Sequence, residues 1–482
     1  MADHPPVPVA RPAYDRLKLT PGIVHIGVGN FHRAHQAVYL DDLFALGVDQ
    51  DWAILGAGVR PGDAAMRDML GAQDNLSTVI ELDPAGPRAR IIGAMTGFLP
   101  VEAENAALIA AMAVPAIRIV SLTVTEGGYY IDPATGRFDP LHPDMVADAA
   151  HPERPATAFG AILAALKLRQ AAGTVPFTVM SCDNLPGNGH VAQAAVVGLA
   201  RLSDPAFADW VSAQVAFPNG MVDRITPATG PRERALAASF GLNDPAPVTC
   251  EPFRQWVLED NFSAGRPALE RVGVTFTPDV HAYEAMKIRI LNGGHAIIAY
   301  PAALLDIAYV HDAMADPLIA AFLDKLERTE IIPLVPPVPG TNLISYFTQV
   351  VGRLHNTAIA DTTRRLCLDG SNRQPKFILP SLHENLAAGR LPRGLILLSA
   401  LWCHYCAGTT DGGQSIAAND PRWDQLQTRA HAARTHPAAW LEMTEIYGDL
   451  ALNPAVLAAF STALAAVRTE GTRSVLRRFL AD

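Results

Sequence analysis

An apolar strand, a glycine turn and an amphipathic helix follow one another from Gly22, and this unit restricts the fold more than any other feature of the chain. The sequence there reads GIVHIGVGNFHRAHQAVYLDDLFALG. Ala37, Leu40, Leu43 and Phe44 recur at the spacing of one helix face. We therefore predict a strand–turn–helix unit with the glycines at its turn.

Apolar runs with strand character recur along the first part of the chain. They cover residues 52–59, 118–125, 177–185 and 215–223. The run at 118–125, RIVSLTVT, is rich in β-branched residues, and helical stretches follow the runs. Strands that alternate with helices predict an α/β fold with a parallel, doubly wound sheet of the Rossmann type.

The pattern changes near Tyr283, beyond which long Ala- and Leu-rich segments with helical spacing dominate. A chain of 482 residues also exceeds the roughly 250 to 300 residues that one hydrophobic core serves. We predict two domains, a Rossmann-type cofactor domain over 1–282 and a mostly α-helical substrate and catalytic domain over 283–482. The Pro-rich stretch 331–340 is expected to be a surface connection between helices.

Composition and charge exclude several classes of protein. The net charge is −10 and no basic run occurs, which argues against nucleic acid as a partner. No apolar run reaches the roughly 18 residues of a membrane span. Prolines near the N-terminus stand where a signal peptide needs an apolar region. We therefore expect a cytoplasmic protein with no membrane partner.

The cysteines invite two interpretations. The five are scattered, which fits reduced thiols better than a disulfide framework. Cys403 and Cys406 form a CHYC sequence that by itself suggests a zinc or redox site. They lie in the apolar helical run LILLSALWCHYCAG, and no second ligand pair follows at zinc-finger spacing. We therefore predict a buried structural role and no metal.

Gly27 and Gly29 follow the first strand at the spacing of a dinucleotide-binding turn. Such glycines allow a tight turn and a close approach of the backbone to a pyrophosphate. His32 occupies the position of the usual third glycine, so an ordinary strand-to-helix turn is an alternative. Arg33, with Asn30 and Phe31, is a candidate for charge and stacking near the phosphates.

A second cofactor feature follows the second strand. Asp63 is a candidate for hydrogen bonding to the adenosine ribose, although it comes a few residues later than usual. Arg60 would instead suit the 2′-phosphate of NADP. The sequence favours NAD without excluding NADP.

The segment 283–295, YEAMKIRILNGGH, contains the groups that alcohol oxidation requires if it is a helix. With Lys287 at zero, Glu284, His295 and Asn292 lie at roughly 60°, 80° and 140° on an α-helical wheel. Hydride loss from a carbinol needs a base for the hydroxyl proton and neutral donors to the oxygen. A surface helix with incidental polar residues is the alternative, but Ile290 and its apolar neighbours favour a packed helix.

These residues suggest individual roles. Lys287 suits the base if burial lowers its pKa. Asn292 suits the amide donor, and His295 suits substrate orientation or sharing of the hydroxyl proton. Glu284, one turn before the lysine, suits a relay of the proton towards solvent.

A set of sequence blocks resembles the polyol-specific long-chain dehydrogenase family. They are IVHIGVGNFHRAHQAVYLDDL, SLTVTEGGYYID, SCDNLPGNG, FPNGMVDRITP, CEPFRQWVLEDNF and MKIRILNGGHA. The resemblance runs from residue 22 to beyond 375. The resemblance implies a zinc-independent enzyme that uses NAD and reversibly oxidises D-mannitol to D-fructose. It also implies a monomer, with substrate in a cleft between the domains.

The resemblance carries over to particular residues. The family's Lys-x4-Asn-x2-His motif matches Lys287, Asn292 and His295, with lysine as base. The remaining implied site residues are a second oxyanion amide at Asn184, substrate contacts at Asp223, Arg365 and Arg373, a nicotinamide neighbour or proton exit at Glu126, and cofactor positions at Gly27, Gly29, Phe31, Arg33 and Asp63. The missing third glycine is itself a family feature.

Alternatives stay open at this point. Taken singly, residues 183–187 are typical of a turn, Asp223 and Arg224 of a loop ion pair, and the two arginines of solvated charges. Within the same fold, a hexuronate reductase would need a cation for the substrate carboxylate, which Arg365 or Arg373 would supply. Sorbitol or arabinitol are alternative substrates, and a nucleotide-binding sensor without turnover is an alternative of another class.

Overall fold

The computed structural model describes residues 9–132 and 135–482. The N-terminal prolines that entered the prediction of a cytoplasmic protein lie partly outside these residues. The chain divides into two compact units, Met1–His281 and Ala282–Asp482.

The described part of the first unit contains all the strands of the structure, in three sheets. The strands are β1 Pro21–Ile26, β2 Ala53–Ala57, β3 Ser77–Glu81, β4 Arg88–Ile92, β5 Met95–Phe98, β6 Ile119–Leu122, β7 Thr178–Ser181, β8 Gly220–Asp223, β9 Val248–Cys250, β10 Gln255–Glu259 and β11 Thr275–Thr277. The main sheet has the order β5-β2-β1-β6-β7, and every neighbouring pair in it is parallel. The predicted parallel sheet of Rossmann type is confirmed.

Helices cover both faces of the main sheet. They are α1 Asn30–Ala34, α2 Gln36–Ala45, α3 Asp63–Gly71, α4 Ala106–Ala113, α5 Pro143–Ala150, α6 Ala158–Ala172, α7 Asn188–Ser203, α8 Pro205–Gln214 and α9 Pro231–Ser239, with 3-10 turns at Arg16–Lys18, Glu126–Tyr129 and Leu269–Val272. Val24 and Ile26 of β1 belong to one hydrophobic cluster and Ile23 to another, as the alternation of side chains along a strand requires. Strands buried on both faces explain the continuous apolar runs.

The run at 215–223 was expected among these parallel strands, and this expectation is wrong in part. Only Gly220–Asp223 is a strand, and β8 pairs antiparallel with β10 in a separate sheet of order β11-β10-β8. The third sheet, β4-β3-β9, was not predicted. An apolar run reports burial, and it does not specify the strand that will pair with it.

The second unit is mostly helical, as predicted. Its helices are α10 His281–Met286, which begins one residue earlier, α11 Gly293–Leu304, α12 Val310–Ala315, α13 Pro317–Leu326, α14 Leu343–Leu354, α15 Thr363–Leu366, α16 Gly370–Phe377, α17 Leu379–Ala387, α18 Arg393–Cys406, α19 Trp423–Ala432, α20 Ala438–Leu441, α21 Thr444–Tyr447, α22 Pro454–Glu470 and α23 Thr472–Ala481. Short 3-10 turns occur at Ile332–Leu334 and Leu450–Leu452. Two π-helical segments interrupt the α-helices at Lys287–Asn292 and Glu327–Ile331, and they pack against each other.

The Pro-rich stretch is only partly a surface segment. Its prolines are exposed, whereas Ile331, Ile332, Val335 and Val338 are buried. The segment therefore connects α13 to α14 as expected, but its aliphatic side chains are anchored in the core of the second unit.

The cysteines are buried free thiols, and Cys403 and Cys406 lie in α18, one of the most deeply buried helices. The predicted structural location of this pair is confirmed. Within residues 9–132 and 135–482, no group of three or more His, Cys, Asp or Glu side chains is arranged to hold a metal ion. None of the helices in the same residues is long and apolar enough to cross a membrane.

Candidate active site

The glycine turn joins the carboxyl end of β1 to α1. Gly27 has a φ of 95°, and a Cβ at this position would lie 2.2 Å from the carbonyl oxygen of Thr123. Gly29 has ordinary extended backbone angles, and a Cβ there would meet no atom closer than 3.9 Å. Gly27 is therefore required by the turn itself, whereas Gly29 leaves open space beside the backbone for a ligand.

His32, at the position of the usual third glycine, is a core residue. It is 1% exposed, and its ring stacks on that of His25 with centroids 3.5 Å apart. His25 bonds to Ser121 and Thr123 at 2.8 and 2.9 Å, and burial lowers its pKa to about 3. The two neutral rings fill the space beneath the turn that a smaller residue leaves in the usual fingerprint.

Arg33 does not have the surroundings expected of a phosphate ligand. Its side chain is fully buried, and the guanidinium donates to the carbonyl oxygens of Gly29 and Ala246 and to Asn30 Oδ1. Arg33 therefore supports the turn from the inside, and its contact with the cofactor stays a prediction. Phe31 is partly exposed and stacks on His35 with centroids 4.8 Å apart.

Asp63 lies just beyond the second strand, at the start of α3. Its Oδ2 accepts a hydrogen bond of 2.9 Å from the backbone N–H of Arg60. The side chain is half-buried, and Arg60 is exposed. The carboxylate thus closes its own loop at the end of β2, where the ribose-binding acid of a Rossmann fold is expected.

Asn184 and Glu126 follow neighbouring strands. β6 and β7 pair in parallel, with Leu122 opposite Ser181, so the residues after both strands lie at one edge of the sheet. Glu126 is exposed at the start of a 3-10 turn. Asn184 lies in the loop between β7 and α7. The structure brings the two predicted segments together within the first unit.

Asp223 is the last residue of β8 and is 5% exposed. The next residue, Arg224, is buried and donates to Glu81 Oε1 at 2.6 Å and to the carbonyl oxygens of Ala34 and Glu251 at 2.6 and 3.0 Å. Arg224 therefore joins β8 to β3 and α1, and this packing holds the end of the strand that carries Asp223.

The segment with Lys287, Asn292 and His295 differs from the expected regular helix. The N–H of Gly293 bonds to the carbonyl of Ile288, five residues earlier, as in a π-helix. Residues five apart lie one turn apart in this geometry, so Lys287 and Asn292 share a face more closely than the α-helical wheel gives. Lys287 is 6% exposed and Glu284 is 8% exposed, while Asn292 and His295 are partly exposed.

Arg289 fixes this π-turn to its surroundings. Its guanidinium makes a two-pronged ion pair with the carboxylate of Glu384 in α17, at 2.5 and 2.6 Å. A third bond of 3.4 Å reaches the carbonyl of Leu334. A forked pair of this kind restricts both the position and the rotation of the segment.

Arg365 and Arg373 lie together on α15 and α16, and α16 packs against the π-turn. Arg365 pairs with Asp361, which accepts from Nε at 2.6 Å. Nη1 of Arg373 donates to the backbone carbonyls of Arg365 and Leu366, both at 3.3 Å. The structure thus brings together the arginines and the lysine motif that the sequence separates by about 80 residues.

Comparison with protein families accounts for both units. The mannitol dehydrogenase Rossmann domain matches residues 21–271, and the mannitol dehydrogenase C-terminal domain matches residues 279–468. The chain belongs to the mannitol dehydrogenase family.

Individual members of this family are similar over the whole chain. A mannitol 2-dehydrogenase of Cereibacter sphaeroides is 74% identical, with 98% of this chain and 99% of that protein covered. The Pseudomonas fluorescens mannitol 2-dehydrogenase, solved as a ternary complex with NAD and D-mannitol, is 43% identical with a TM-score of 0.87, covering 99% of this chain and 98% of that one. A D-sorbitol dehydrogenase in substrate-free form is 34% identical with a TM-score of 0.90, covering 97% of each chain.

Sequence reasoning missed several residues that shape the site of this mannitol dehydrogenase family member. Asp183 and Asn188 hold the loop that carries Asn184, and Arg289 and Glu327 lie on the two π-turns. Glu327 follows Leu323 by four residues, on the apolar face of its helix, and a carboxylate at such a position was a signal in the sequence. The others had no local signal, because their partners are distant in sequence.

Proposed function

We propose that this protein is an NAD-dependent mannitol 2-dehydrogenase that reversibly oxidises D-mannitol to D-fructose. The observation that carries the proposal is the buried lysine at the start of the π-turn, with Asn292 one turn later, in a chain 74% identical to a mannitol 2-dehydrogenase. The ternary complex of the Pseudomonas fluorescens relative supports NAD and mannitol as the ligands.

The N-terminal unit is proposed to hold the cofactor, with 1–282 as cofactor domain and 283–482 as substrate and catalytic domain. The open space at Gly29 fits a pyrophosphate close to the backbone. Gly27 shapes the turn, Phe31 lies beside it, and Asp63 is the proposed ribose ligand. Arg33 is proposed to act indirectly, by supporting the turn. NAD, when bound, supplies the acceptor for the hydride that leaves the carbinol carbon.

Lys287 is the proposed general base. It is almost completely buried at the start of the π-turn, where alcohol oxidation would need a base for the hydroxyl proton. Amide donors stabilise the negative charge that develops on the substrate oxygen. Asn292 and Asn184 are the proposed donors, and His295 is proposed to orient the hydroxyl group.

The proton must then reach solvent. Glu284 lies one helical turn before Lys287 and is 8% exposed, so a carboxylate of similar burial follows the lysine's face of the helix. We assign it the relay, with Glu126, which is exposed, as a second relay group. In the reverse direction the same groups return the proton to the ketose oxygen.

Asp223, Arg365 and Arg373 are the proposed ligands of the distal hydroxyl groups. The pairing of Arg365 with Asp361 favours a polyol over a hexuronate, because its charge is already neutralised. Arg373 uses part of its guanidinium on backbone carbonyls. A substrate carboxylate would therefore meet less free positive charge than the sequence implied.

The test is a panel of initial rates with mannitol, sorbitol, arabinitol and fructuronate. The three polyols are assayed with oxidised NAD or NADP, and fructuronate is assayed with the reduced form of each. We expect mannitol with NAD to give the highest kcat/KM. A preference of more than about tenfold for fructuronate, equivalent to about 1.4 kcal/mol in transition-state binding, would contradict the proposal. A preference for NADP would indicate that Arg60 binds the 2′-phosphate, in place of the proposed bond between Asp63 and the ribose.

We further propose that the enzyme acts as a monomer in the cytoplasm and has no nucleic-acid partner. The net charge of −10 supports the last point. Light scattering during size-exclusion chromatography measures the mass of the particle, for which we expect 51.5 kDa.

A further inference from the structure

Asp183 lies at the carboxyl end of β7, immediately before the proposed oxyanion residue Asn184. Its carboxylate accepts three hydrogen bonds from one segment of the chain. Oδ2 accepts from the N–H of Val124 at 2.9 Å and from the hydroxyl of Tyr129 at 2.7 Å, and Oδ1 accepts from the N–H of Thr125 at 3.0 Å. The side chain therefore joins the end of β7 to the loop that follows β6.

The loop on the other side of this contact has an unusual backbone. Thr125 has a φ of 66°, which a β-branched residue rarely adopts, and Glu126 follows it directly. Such a conformation persists only where the surroundings enforce it. The hydrogen bond from the Thr125 N–H to Asp183 is one of those constraints.

A second anchor holds the peptide bond that links Asp183 to Asn184. Nδ2 of Asn188, a fully buried side chain, donates to the carbonyl of Asp183 at 3.1 Å and to that of Gly220 at 2.9 Å. Its Oδ1 accepts from the N–H of Gly220 at 2.8 Å. The backbone before Asn184 is thus tied both to the β6 loop and to β8, the strand that carries Asp223.

We propose that Asp183 is a positioning residue that fixes the amide of Asn184 for the reaction, an inference that rests on the proposed function of Asn184. Asn184 lies in the loop between β7 and α7, outside the hydrogen-bond ladder of the sheet, so the sheet alone does not set its place. A displacement of about 1 Å in such a group costs up to about 10² in rate. The Asp183 carboxylate and the Asn188 amide constrain the backbone that carries Asn184.

The chain offers a matched control in the same unit. Asp148 is also buried and also accepts two backbone N–H bonds and one hydroxyl bond, from Ala156 at 2.8 Å and from Thr157 at 3.1 and 2.6 Å. It joins α5 to the start of α6, and its hydrogen bonds among the described residues go to Ala156 and Thr157, away from the loops that carry Asn184 and Glu126. Asp148→Asn therefore measures the cost of losing such a carboxylate without an effect on Asn184.

The experiment is a double-mutant cycle of Asp183→Asn and Asn184→Ala. Single-turnover rates of mannitol oxidation with excess enzyme keep slow variants measurable, and NADH affinity and melting temperature are recorded for each. We expect Asp183→Asn to slow hydride transfer about tenfold to hundredfold in the wild-type background. In the Asn184→Ala background it should slow the reaction less than about twofold, since residues that act as a unit are not additive.

Asp148→Asn should lower the melting temperature and change the rate less than about twofold. Tyr129→Phe removes one of the three donors to Asp183 and should give a smaller loss with the same coupling, which tests the inference if Asp183→Asn does not fold. Additive losses, an unchanged rate in Asp183→Asn, or an equal loss in Asp148→Asn would overturn the inference alone. A wild-type protein without mannitol turnover would overturn the proposed function and this inference together.

Discussion

Lys287 combines two properties that rarely occur together in a lysine. It is almost completely buried, and it begins a π-helical turn rather than a regular α-helical one. π-turns within α-helices are rare and occur frequently at functional sites, because they change which side chains share a face. Here the extra residue in the turn places Asn292 on the same face as the lysine, which suits a base and an oxyanion donor acting on one hydroxyl group.

At this scale we expect Lys287→Ala to lower kcat for mannitol oxidation by about 10² to 10⁴, the usual effect of removing a general base. The affinity for NADH should be nearly unchanged, because the proposed cofactor residues lie on another unit. Wild-type oxidation should also slow at acidic pH, where the lysine is protonated, and ketose reduction should prefer lower pH. Stopped-flow rates and NADH fluorescence titrations measure these quantities.

The control is Lys376→Ala, which removes an exposed lysine of the same unit. Its rate should equal that of the wild type. A Lys287→Ala variant with an unchanged kcat, or with weaker NADH binding as its only defect, would show that the base lies elsewhere.

Among the elements, the two π-turns form a packed pair around an unusual carboxylic acid. Glu327 begins the second π-turn and is 0% exposed, and neither of its carboxyl oxygens has a hydrogen-bond partner among the described residues. Its Oε1 lies 3.6 Å from the place of a Cβ on Gly294, next to His295. Burial raises the pKa of Glu327 well above its usual value, so the folded protein holds this group in its neutral form.

This burial gives a pH dependence of stability. The pKa of Glu327 is higher in the folded protein than in the unfolded chain, where it is about 4.3. Above that pH the unfolded chain releases a proton that the folded protein keeps, so folding becomes less favourable as pH rises. Relative to Glu327→Gln, which cannot ionise, the wild type should lose about 1.4 kcal/mol of unfolding free energy per pH unit in this range.

Denaturant unfolding of both proteins between pH 5 and 8 measures the difference. Glu104→Gln serves as a control, because the side chain of Glu104 is 58% exposed. The difference in unfolding free energy between the wild type and this variant should not change with pH in this way. A constant difference between wild type and Glu327→Gln across the range would mean that Glu327 is ionised in the folded protein.

For the whole molecule, ligand binding links the cofactor unit to the stability of the chain. A ligand that binds only the folded state stabilises it by RT ln(1 + [L]/Kd), which is about 2.7 kcal/mol at 100 times Kd. The glycine turn joins β1 of the parallel sheet to α1. NADH bound at this turn should therefore raise the melting temperature of the unit that contains it.

We expect NADH to raise the melting temperature of the wild type and of Lys287→Ala by similar amounts. Gly29→Ala should melt at the wild-type temperature without ligand, because its angles suit any residue and the added methyl group meets no atom. It should show a smaller rise with NADH, corresponding to at least about tenfold weaker binding. Gly71→Ala, at the end of α3 with equally open space, is the matched control. An equal rise in Gly29→Ala would contradict the assignment of the turn to the cofactor.

Local patterns were sufficient for much of the fold. The four apolar runs that became β1, β2, β6 and β7 were identified from composition alone, since strands buried on both faces are apolar throughout. The helical character of the second unit followed from periodicity. The short strands β3, β4 and β9 were not identified. β4 and β9 are the edge strands of their sheet, where the sequence pattern is weak, and β9 pairs with β3 from about 170 residues further along the chain.

The sequence by itself determined the fold class, the family and the residue types needed for alcohol oxidation, because these depend on local periodicity and on short motifs. Tertiary structure decided the roles of individual groups. It buried Arg33 and His32 beneath the turn and wound the lysine segment into a π-turn. It also tied Asp183 to a loop about 60 residues away. Burial and hydrogen bonding depend on distant segments meeting, which no local pattern specifies.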